Sequence, residues 1–101
     1  MNAANESIEV KNNPAASRFE VQLAEDKLAQ IAYVMEGDTM IFVHTEVPPE
    51  FGGRGIADKM AYTALEYAKA QNLQVMATCP FVRKYIQRHP EYQSITIDYP
   101  G

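Results

Sequence analysis

The sequence has one cysteine, no tryptophan, and only five glycines and six prolines in 101 residues. A single cysteine cannot form an intramolecular disulfide or a thiolate metal cage, so the sequence predicts a reducing location, the cytoplasm, and no metal site. No apolar run reaches the ~18 residues of a membrane span, and residues 1–7 lack the parts of a cleavable signal. We therefore expect a soluble, cytoplasmic protein with no membrane partner.

The composition is that of a folded domain. Hydrophobic residues make up 47% and charged residues 22% of the chain, which excludes the disordered and collagen-like classes. This length suffices for one buried core and not for two. We expect residues 1–7 to be a flexible N-terminus and residues 8–101 to be a single domain.

Charge is distributed unevenly along the chain. Residues 1–50 have three basic and nine acidic side chains, a net charge of −6, whereas residues 51–101 have six basic and four acidic ones, a net +2. The total of −4 argues against sequence-independent binding of nucleic acid, which needs a basic face. The C-terminal half can attract an anion, although charge runs are more often only solvated surface.

The pattern of apolar residues predicts an α/β (α+β) class. Alternation at residues 8–10, 19–23, 28–35 and 39–47 predicts an antiparallel meander of four strands, the fourth one central because it begins apolar on both faces. Helical spacing from Ile56 to about residue 72 predicts a helix, and Pro80 suits the first position of a second helix that ends near residue 88. With strands at 73–78 and 95–97, the order is β-β-β-β-α-β-α-β, in a mixed, mostly antiparallel sheet.

A glycine-rich loop, residues 48–55, separates the fourth strand from the first helix. Its Gly-Gly-Arg-Gly run lets backbone amides approach an anion where the helix dipole is positive. Glycine also serves tight turns, so this run alone is weak evidence of anion binding. The spacings of a dinucleotide fingerprint and of a Walker A motif are both absent.

Two segments carry a more specific pattern. They are His44-Thr45-Glu46-Val47-Pro48-Pro49-Glu50-Phe51-Gly52-Gly53-Arg54-Gly55-Ile56-Ala57, and Cys79-Pro80-Phe81-Val82 with Tyr85-Ile86. They resemble the GNAT superfamily of N-acetyltransferases, in particular its small single-domain members, over about residues 18–97. The resemblance implies a minimal GNAT fold, binding of acetyl-coenzyme A, and transfer of its acetyl group to an amine.

The resemblance also implies where the cofactor binds. Gly55 and Ala57 match the superfamily's pyrophosphate motif, Gln/Arg-x-x-Gly-x-Gly/Ala, whereas Gly52 replaces the Gln or Arg, so backbone amides have to contribute more and Arg54 is expected to compensate. The pantetheine arm is expected between diverging fourth and fifth strands. The expected cofactor-binding residues are Thr45, Val47, Gly52, Gly53, Arg54, Gly55, Ile56, Ala57, Pro80, Arg83 and Lys84.

Amine acetylation needs a neutral amine, oxyanion stabilisation and a proton for the departing thiolate. His44 is a candidate base because imidazole titrates near neutral pH, and Glu46 competes with it. The strand period of two puts both on one face unless a bulge intervenes. Tyr85 is the proton donor that the resemblance implies, although His89-Pro90 replaces the glycine-aromatic pair of the family.

Cys79 is predicted at the end of the fifth strand and at the N-cap of the second helix, where the dipole favours a thiolate. A free cysteine is more often a small buried hydrophobe. The resemblance implies instead a catalytic cysteine that takes the acetyl group as a thioester, with His44 as its base. Direct transfer, without that intermediate, is the superfamily's commoner route.

Three functions follow from these observations. The first is an acetyl-coenzyme A-dependent N-acetyltransferase acting on a small amine or on a peptide or protein lysine. The second is a coenzyme A-binding module with little turnover, favoured by Gly52 and by the lack of room between the first two strands for helices that wall an acceptor site. Nucleic-acid binding through Arg83, Lys84 and Arg88 is the weakest, so no nucleic-acid partner is expected.

Overall fold

A five-stranded sheet carries two helices on one face in the computed structural model, which describes residues 8–97. The predicted N-terminal segment, residues 1–7, lies outside the described residues. Three short 3-10 turns occur at Pro14–Ala16, Pro49–Phe51 and Pro90–Ile95. The main elements are β1 (Lys11–Asn13), β2 (Arg18–Ala24), β3 (Lys27–Glu36), β4 (Thr39–Glu46), α1 (Ile56–Ala70), β5 (Gln74–Ala77) and α2 (Pro80–Arg88).

The sheet is mixed, with the strands in sequence order from β1 to β5. Neighbours from β1 to β4 pair antiparallel, as the predicted meander requires, and β4 pairs parallel with β5 because α1 carries the chain back across the sheet. The predicted fold class is confirmed, and β2, β3 and β4 begin and end within one residue of their predicted limits.

The first strand differs from its prediction. It pairs with β2 at Lys11–Asn13 rather than at residues 8–10, so two asparagines form most of it. Their side chains explain this, because Asn12 Oδ1 accepts a 2.7 Å hydrogen bond from the Tyr33 hydroxyl and Asn13 Oδ1 accepts one from the Ala16 amide. The strand therefore ends at Asn13, whose side chain caps the 3-10 turn that follows it.

The predicted last strand is reduced to a single parallel bridge between Val75 and Thr96 within the described residues. The preceding residues, Pro90–Ile95, form a 3-10 helix. The Thr96 hydroxyl donates to the Tyr92 carbonyl at 2.8 Å, and the Ile97 amide donates to the Val75 carbonyl at 2.8 Å. The hydrogen bond from the Thr96 side chain keeps the backbone in the 3-10 helix up to Ile95, and Thr96 then pairs with Val75. The alternation of apolar residues in the sequence does not predict this hydrogen bond.

One face of the sheet holds the core. Apolar residues two apart on each strand point to the helices, as the strand period requires, and both helices bury their apolar stripes against them. No described helix is long and apolar enough to cross a membrane. The buried residues include Phe19 and Val21 on β2, Ala29, Ile31 and Tyr33 on β3, Met40 and Phe42 on β4, Val75 and Ala77 on β5, and Ile56, Met60, Ala64, Leu65, Val82 and Ile86 on the helices.

The opposite face, here called the open face, is not covered by any element within residues 8–97. Val34 is 46% exposed there, and Ile41 and Met76 are only half-buried. Arg18 and Glu20 form an ion pair on the same face at 2.6 Å. The prediction that β4 is a central strand is confirmed, because it pairs with β3 on one side and with β5 on the other. Its apolar residues that point away from the helices, such as Ile41, lie on the open face.

A β-bulge in β4 changes which side chains face the helices. Tyr33 pairs with Phe42 and Ala32 pairs with His44, so Val43 has no partner on β3. Paired residues lie on the same side of a sheet. The extra residue therefore reverses the alternation for the remainder of β4.

Candidate active site

The loop after β4 and the first turn of α1 enclose a cavity of about 280 Å³. Gly53 and Gly55 have φ values of 77° and 75°, a left-handed conformation that glycine adopts at little cost. Gly55 is the N-cap of α1, so no side chain caps the helix and its first amides are free to bind a ligand. The cavity is lined by Val47, Phe51, Gly52, Gly53, Gly55, Ile56, Ala57 and Asp58.

Six expected cofactor-binding residues thus lie together: Val47, Gly52, Gly53, Gly55, Ile56 and Ala57. Phe51 and Asp58 also line the cavity and were missed. An aspartate in the first turn of a helix commonly stabilises the helix, so nothing in the sequence marked Asp58 as a site residue.

The expected basic residues do not line this cavity. The guanidinium of Arg54 lies 5.2 Å from the centroid of the Phe51 ring, a cation–π contact that holds it beside the loop. Arg83 is half-buried and Lys84 is exposed on α2, and Pro80 occupies the first turn of that helix. The structure does not bring these three α2 residues into the cavity lining.

Strands β4 and β5 separate near the cavity, as expected. Their pairing ends where Phe42 meets Ala77. The amides of Thr78 and Cys79 then both donate to the Phe42 carbonyl, at 3.0 and 3.1 Å. Beyond this point, among the described residues, the remainder of β4 has no neighbouring strand on the β5 side.

Cys79 lies at this point of separation. It is the N-cap of α2, as predicted, and is 4% exposed. Its Sγ shares a 3.1 Å hydrogen bond with Thr45 Oγ1, in which either atom can donate. Thr45 pairs with Ile31 and so faces the helices because of the bulge. The contact joins an expected cofactor-binding residue to the expected nucleophile.

His44 and Glu46 lie on the open face. They share that face, as the strand period predicts, with His44 Nε2 3.7 Å from Glu46 Oε1. Gln30 Nε2 donates to the same Glu46 oxygen at 3.3 Å. The two side chains are 61% and 60% exposed. The bulge that turns Thr45 toward Cys79 turns both candidate bases away from it, so the structure does not bring His44 to the thiol.

Tyr85 is buried on the side of α2 that faces α1. Burial raises the pKa of its phenol above the ordinary value, and the carboxylates of Asp58 and Glu91 raise it further. The phenol is therefore protonated at neutral pH, as a proton donor must be. Its hydroxyl has no hydrogen-bond partner within residues 8–97, and Asp58 also lines the cavity.

His89 lies where the sequence departs from the family pattern, and its ring packs against the ring of Tyr85. The two rings stack with centroids 4.0 Å apart and an angle of 18°. His89 Nδ1 lies 2.8 Å from the Tyr85 carbonyl, and because a carbonyl only accepts, Nδ1 carries the proton. The sequence did not predict this role, because position 89 was compared with the glycine of the family pattern. In the structure His89 is the C-cap of α2.

Within residues 8–97, no group of three or more histidine, cysteine or carboxylate side chains is arranged to hold a metal ion.

Comparison with known proteins gives consistent results. Protein NATD1 of Xenopus tropicalis is 31% identical over 86 residues, covering 83% of this chain and 79% of its own length. Human Protein NATD1 is 33% identical, covering 82% and 75%. A GCN5-like protein of Staphylococcus aureus, solved by solution NMR, superposes with a TM-score of 0.70 at 26% identity, covering 90% of this chain and 89% of its own.

The model of the GCN5-related N-acetyl-transferase family matches residues 18–95. This range contains β2 to β5, the glycine-rich loop, both helices and the Thr45–Cys79 contact. The resemblance read from the two sequence segments is thereby confirmed, and with it the enzyme class, an acyltransferase. The chain belongs to the GCN5-related N-acetyltransferase family.

Proposed function

We propose that this protein is an acetyl-coenzyme A-dependent N-acetyltransferase that moves the acetyl group to an amine through a thioester on Cys79. The observation that carries the proposal is the position of the thiol. It lies at the N-cap of α2, where β4 and β5 separate, with a hydroxyl in contact. A cysteine at a helix N-terminus is placed to react as the thiolate.

The cavity between the end of β4 and the start of α1 suits the anionic part of the cofactor. Left-handed glycines at 53 and 55 expose amides to it, and the first turn of α1 adds the positive end of the helix dipole. Glycine at 52 offers no side chain to a phosphate, so the amides and Arg54 supply the binding. Arg54 is held beside the loop by the Phe51 ring.

The two faces of the sheet contribute residues to different steps of the reaction. On the helix face, Cys79 takes the acetyl group and the protonated phenol of Tyr85 gives a proton to the departing coenzyme A sulfur. On the open face, the His44–Glu46 pair takes a proton from the incoming amine, which attacks through the gap between β4 and β5. This division replaces the expected pairing of His44 with Cys79, since the bulge separates them.

The acceptor is a positively charged amine before it loses its proton. The open face is built mainly from β1 to β4, in the half of the chain that has a net charge of −6. This excess of carboxylates in residues 1–50 attracts a cation from a distance, an effect that salt screens. The short link between β1 and β2 leaves the face open, so a lysine on a peptide or protein fits as well as a small amine.

The test is to incubate the protein with isotopically labelled acetyl-coenzyme A and to locate the label by mass spectrometry. We expect one acetyl group on Cys79, released when an amine is added. Cys79→Ser should lose the label and the amine acetylation with it. Retention of amine acetylation in Cys79→Ser would refute the thioester and favour direct transfer.

The alternative, a coenzyme A-binding module, is favoured by the absence of a side chain at Gly52 and by the short link between the first two strands. It predicts that calorimetry detects binding of coenzyme A while no thiol is released from acetyl-coenzyme A across a panel of amines. A calorimetric titration without heat would refute both functions.

A further inference from the structure

We infer that the Thr45 hydroxyl is a catalytic group that stabilises the Cys79 sulfur whenever the sulfur carries negative charge. The inference rests on the proposed function, in which Cys79 takes and passes on the acetyl group. Its basis is a contact between two elements: Thr45, near the end of β4, lies with Oγ1 3.1 Å from Sγ of Cys79, at the start of α2.

The backbone sets this contact. Val43 is unpaired in the bulge, so Thr45 pairs with Ile31 on the helix face. In an unbulged strand the alternation from buried Phe42 would bring His44 to the helix face and turn Thr45 to the open face. The bulge therefore places a hydroxyl, instead of an imidazole, beside the thiol.

Thr45 is the sole side chain within residues 8–97 that hydrogen-bonds to the thiol. The ionisable side chains on the surrounding elements include His44 and Glu46 on β4, which face the open side, Tyr85 and Arg83 on α2, and Asp58 on α1. The others on these two helices are Lys59, Tyr62, Glu66, Tyr67, Lys69, Lys84 and Arg88. None of them forms a hydrogen bond or ion pair with Sγ. Cys79 is 4% exposed, so little water replaces the missing partners. The hydroxyl is thus the one side chain of residues 8–97 that is in place to hydrogen-bond a charged sulfur.

A hydroxyl can serve both states of the sulfur because it both accepts and donates. While Cys79 is a thiol, Thr45 can accept its proton in a hydrogen bond. When Cys79 is a thiolate, the same hydroxyl donates to it, and a hydrogen bond to an ion is the stronger kind. An imidazole in the same place would take the proton and keep it, whereas the hydroxyl does not hold it.

The sulfur becomes an anion in both half-reactions. In the first, the thiol gives up its proton, the S–C bond to the acetyl carbon forms, and the bond from that carbon to the coenzyme A sulfur breaks; Tyr85 protonates the departing sulfur, and the proton released by the thiol restores the phenol. In the second, the N–C bond to the amine forms, the Cys79 S–C bond breaks, and Cys79 departs as a thiolate. The amine proton goes to the His44–Glu46 pair. Thr45 donates to the sulfur before the first attack and again as it departs.

The experiment measures thiol reactivity without the cofactor. Iodoacetamide is reacted with Cys79 across a pH series in the wild type, Thr45→Val, Thr45→Ser and Thr78→Val. Valine matches the shape of threonine without the hydroxyl, and serine restores it. Thr78, next to the thiol in sequence, donates its hydroxyl to the Phe42 carbonyl instead, so Thr78→Val controls for loss of a nearby hydroxyl.

We expect Thr45→Val to slow alkylation about ten- to hundredfold at neutral pH, the value of one hydrogen bond to a charged group, and to move the pH profile to higher pH. Thr45→Ser should react close to the wild-type rate, and Thr78→Val should keep the wild-type profile. Circular dichroism and calorimetric titration with coenzyme A establish that the variants fold and bind. Acetyl labelling of Cys79 should fall in parallel with alkylation.

Wild-type alkylation and an unmoved pH profile in Thr45→Val would overturn the inference, even if Cys79 is acetylated. Failure of the proposed function gives a different result, because acetyl-coenzyme A would then leave wild-type Cys79 unlabelled. That result would also remove Thr45 from acetyl transfer, whatever the alkylation rates. Equal losses in Thr45→Ser and Thr45→Val would contradict a hydroxyl role, since only the shape of the side chain would then matter.

Discussion

The two faces of the sheet differ in what surrounds them and in the chemistry that they carry. The helix face is dry and packed, and its reactive groups, Cys79 and Tyr85, are 4% and 7% exposed. The open face is wet, with His44 and Glu46 more than half exposed. Buried groups suit the thioester, which water would hydrolyse, and exposed groups suit an acceptor that arrives from solution. One strand, β4, supplies residues to both faces.

The largest expected effect tests the difference in packing. Phe42→Ala on the helix face should lower the free energy of unfolding by about 3–5 kcal/mol, since the Phe42 side chain is fully buried. Val34→Ala on the open face should cost less than about 1 kcal/mol, because Val34 is 46% exposed. Urea denaturation measures both. Similar losses in the two variants would mean that something covers the open face in solution.

The second prediction separates the two faces by half-reaction. His44→Gln should slow amine-dependent release of acetyl from Cys79 about a hundredfold, the usual contribution of a general base, and should leave the rate of Cys79 labelling within about threefold. Thr45→Val should slow the labelling as well. Single-turnover measurements resolve the two steps. Slow labelling in His44→Gln would place the histidine with the thiol after all.

The third prediction concerns a hydrogen bond on the helix face, between Tyr92 and Glu66. The Tyr92 hydroxyl donates to Glu66 at 2.6 Å, and burial, with that carboxylate, raises the pKa of Tyr92 far above its ordinary value. Tyr92→Phe should therefore lower the unfolding free energy by about 1–2 kcal/mol at neutral pH.

The sign of its pH dependence follows from proton binding. Above about pH 10 tyrosines ionise in the unfolded chain, while Tyr92 stays protonated in the folded one, so the folded state binds more protons and stability falls as pH rises. Thermal unfolding of Tyr92→Phe from pH 9 to 11 should show a shallower decline than the wild type. An equal decline would mean that Tyr92 ionises freely in the folded state.

The smallest expected effect concerns the glycine-rich loop between β4 and α1. Gly55→Ala should cost about 1 kcal/mol of stability from strain, and should weaken binding of acetyl-coenzyme A about tenfold by moving an amide. Gly37→Ala, in the β3–β4 turn, is a matched control: φ is 59°, no atom lies within 4 Å of its added Cβ, and it is remote from the cavity. It should lose similar stability and no affinity. Equal affinities in calorimetry would exclude amide binding at Gly55.

Local sequence patterns predicted most of the fold. Alternation located β2, β3 and β4, and helical spacing located α1, because in each case one side of the element faces the core. The errors at residues 8–10 and 95–97 have a different origin. There, side-chain hydrogen bonds of Asn13 and Thr96 decide where the backbone turns, and hydrophobic periodicity does not reveal them.

The site was predicted less completely, for a related reason. The resemblance located the glycine loop and Cys79, which depend on local chain geometry. The bulge at Val43 depends on pairing with β3, so the sequence could not tell whether His44 or Thr45 meets the thiol. Tyr85 was placed by helix register, but the histidine that stacks on it was visible only in the fold.

The extra residue at Val43 also affects how relatives should be compared. A relative with a straight strand reaches the same arrangement with one residue fewer, whereas no substitution can exchange the two neighbours that follow the bulge between sides of the sheet. Residue-by-residue matching across this strand can thus equate side chains that point in opposite directions. Insertions and deletions there, more than substitutions, are the changes by which evolution could replace the group that meets the sulfur.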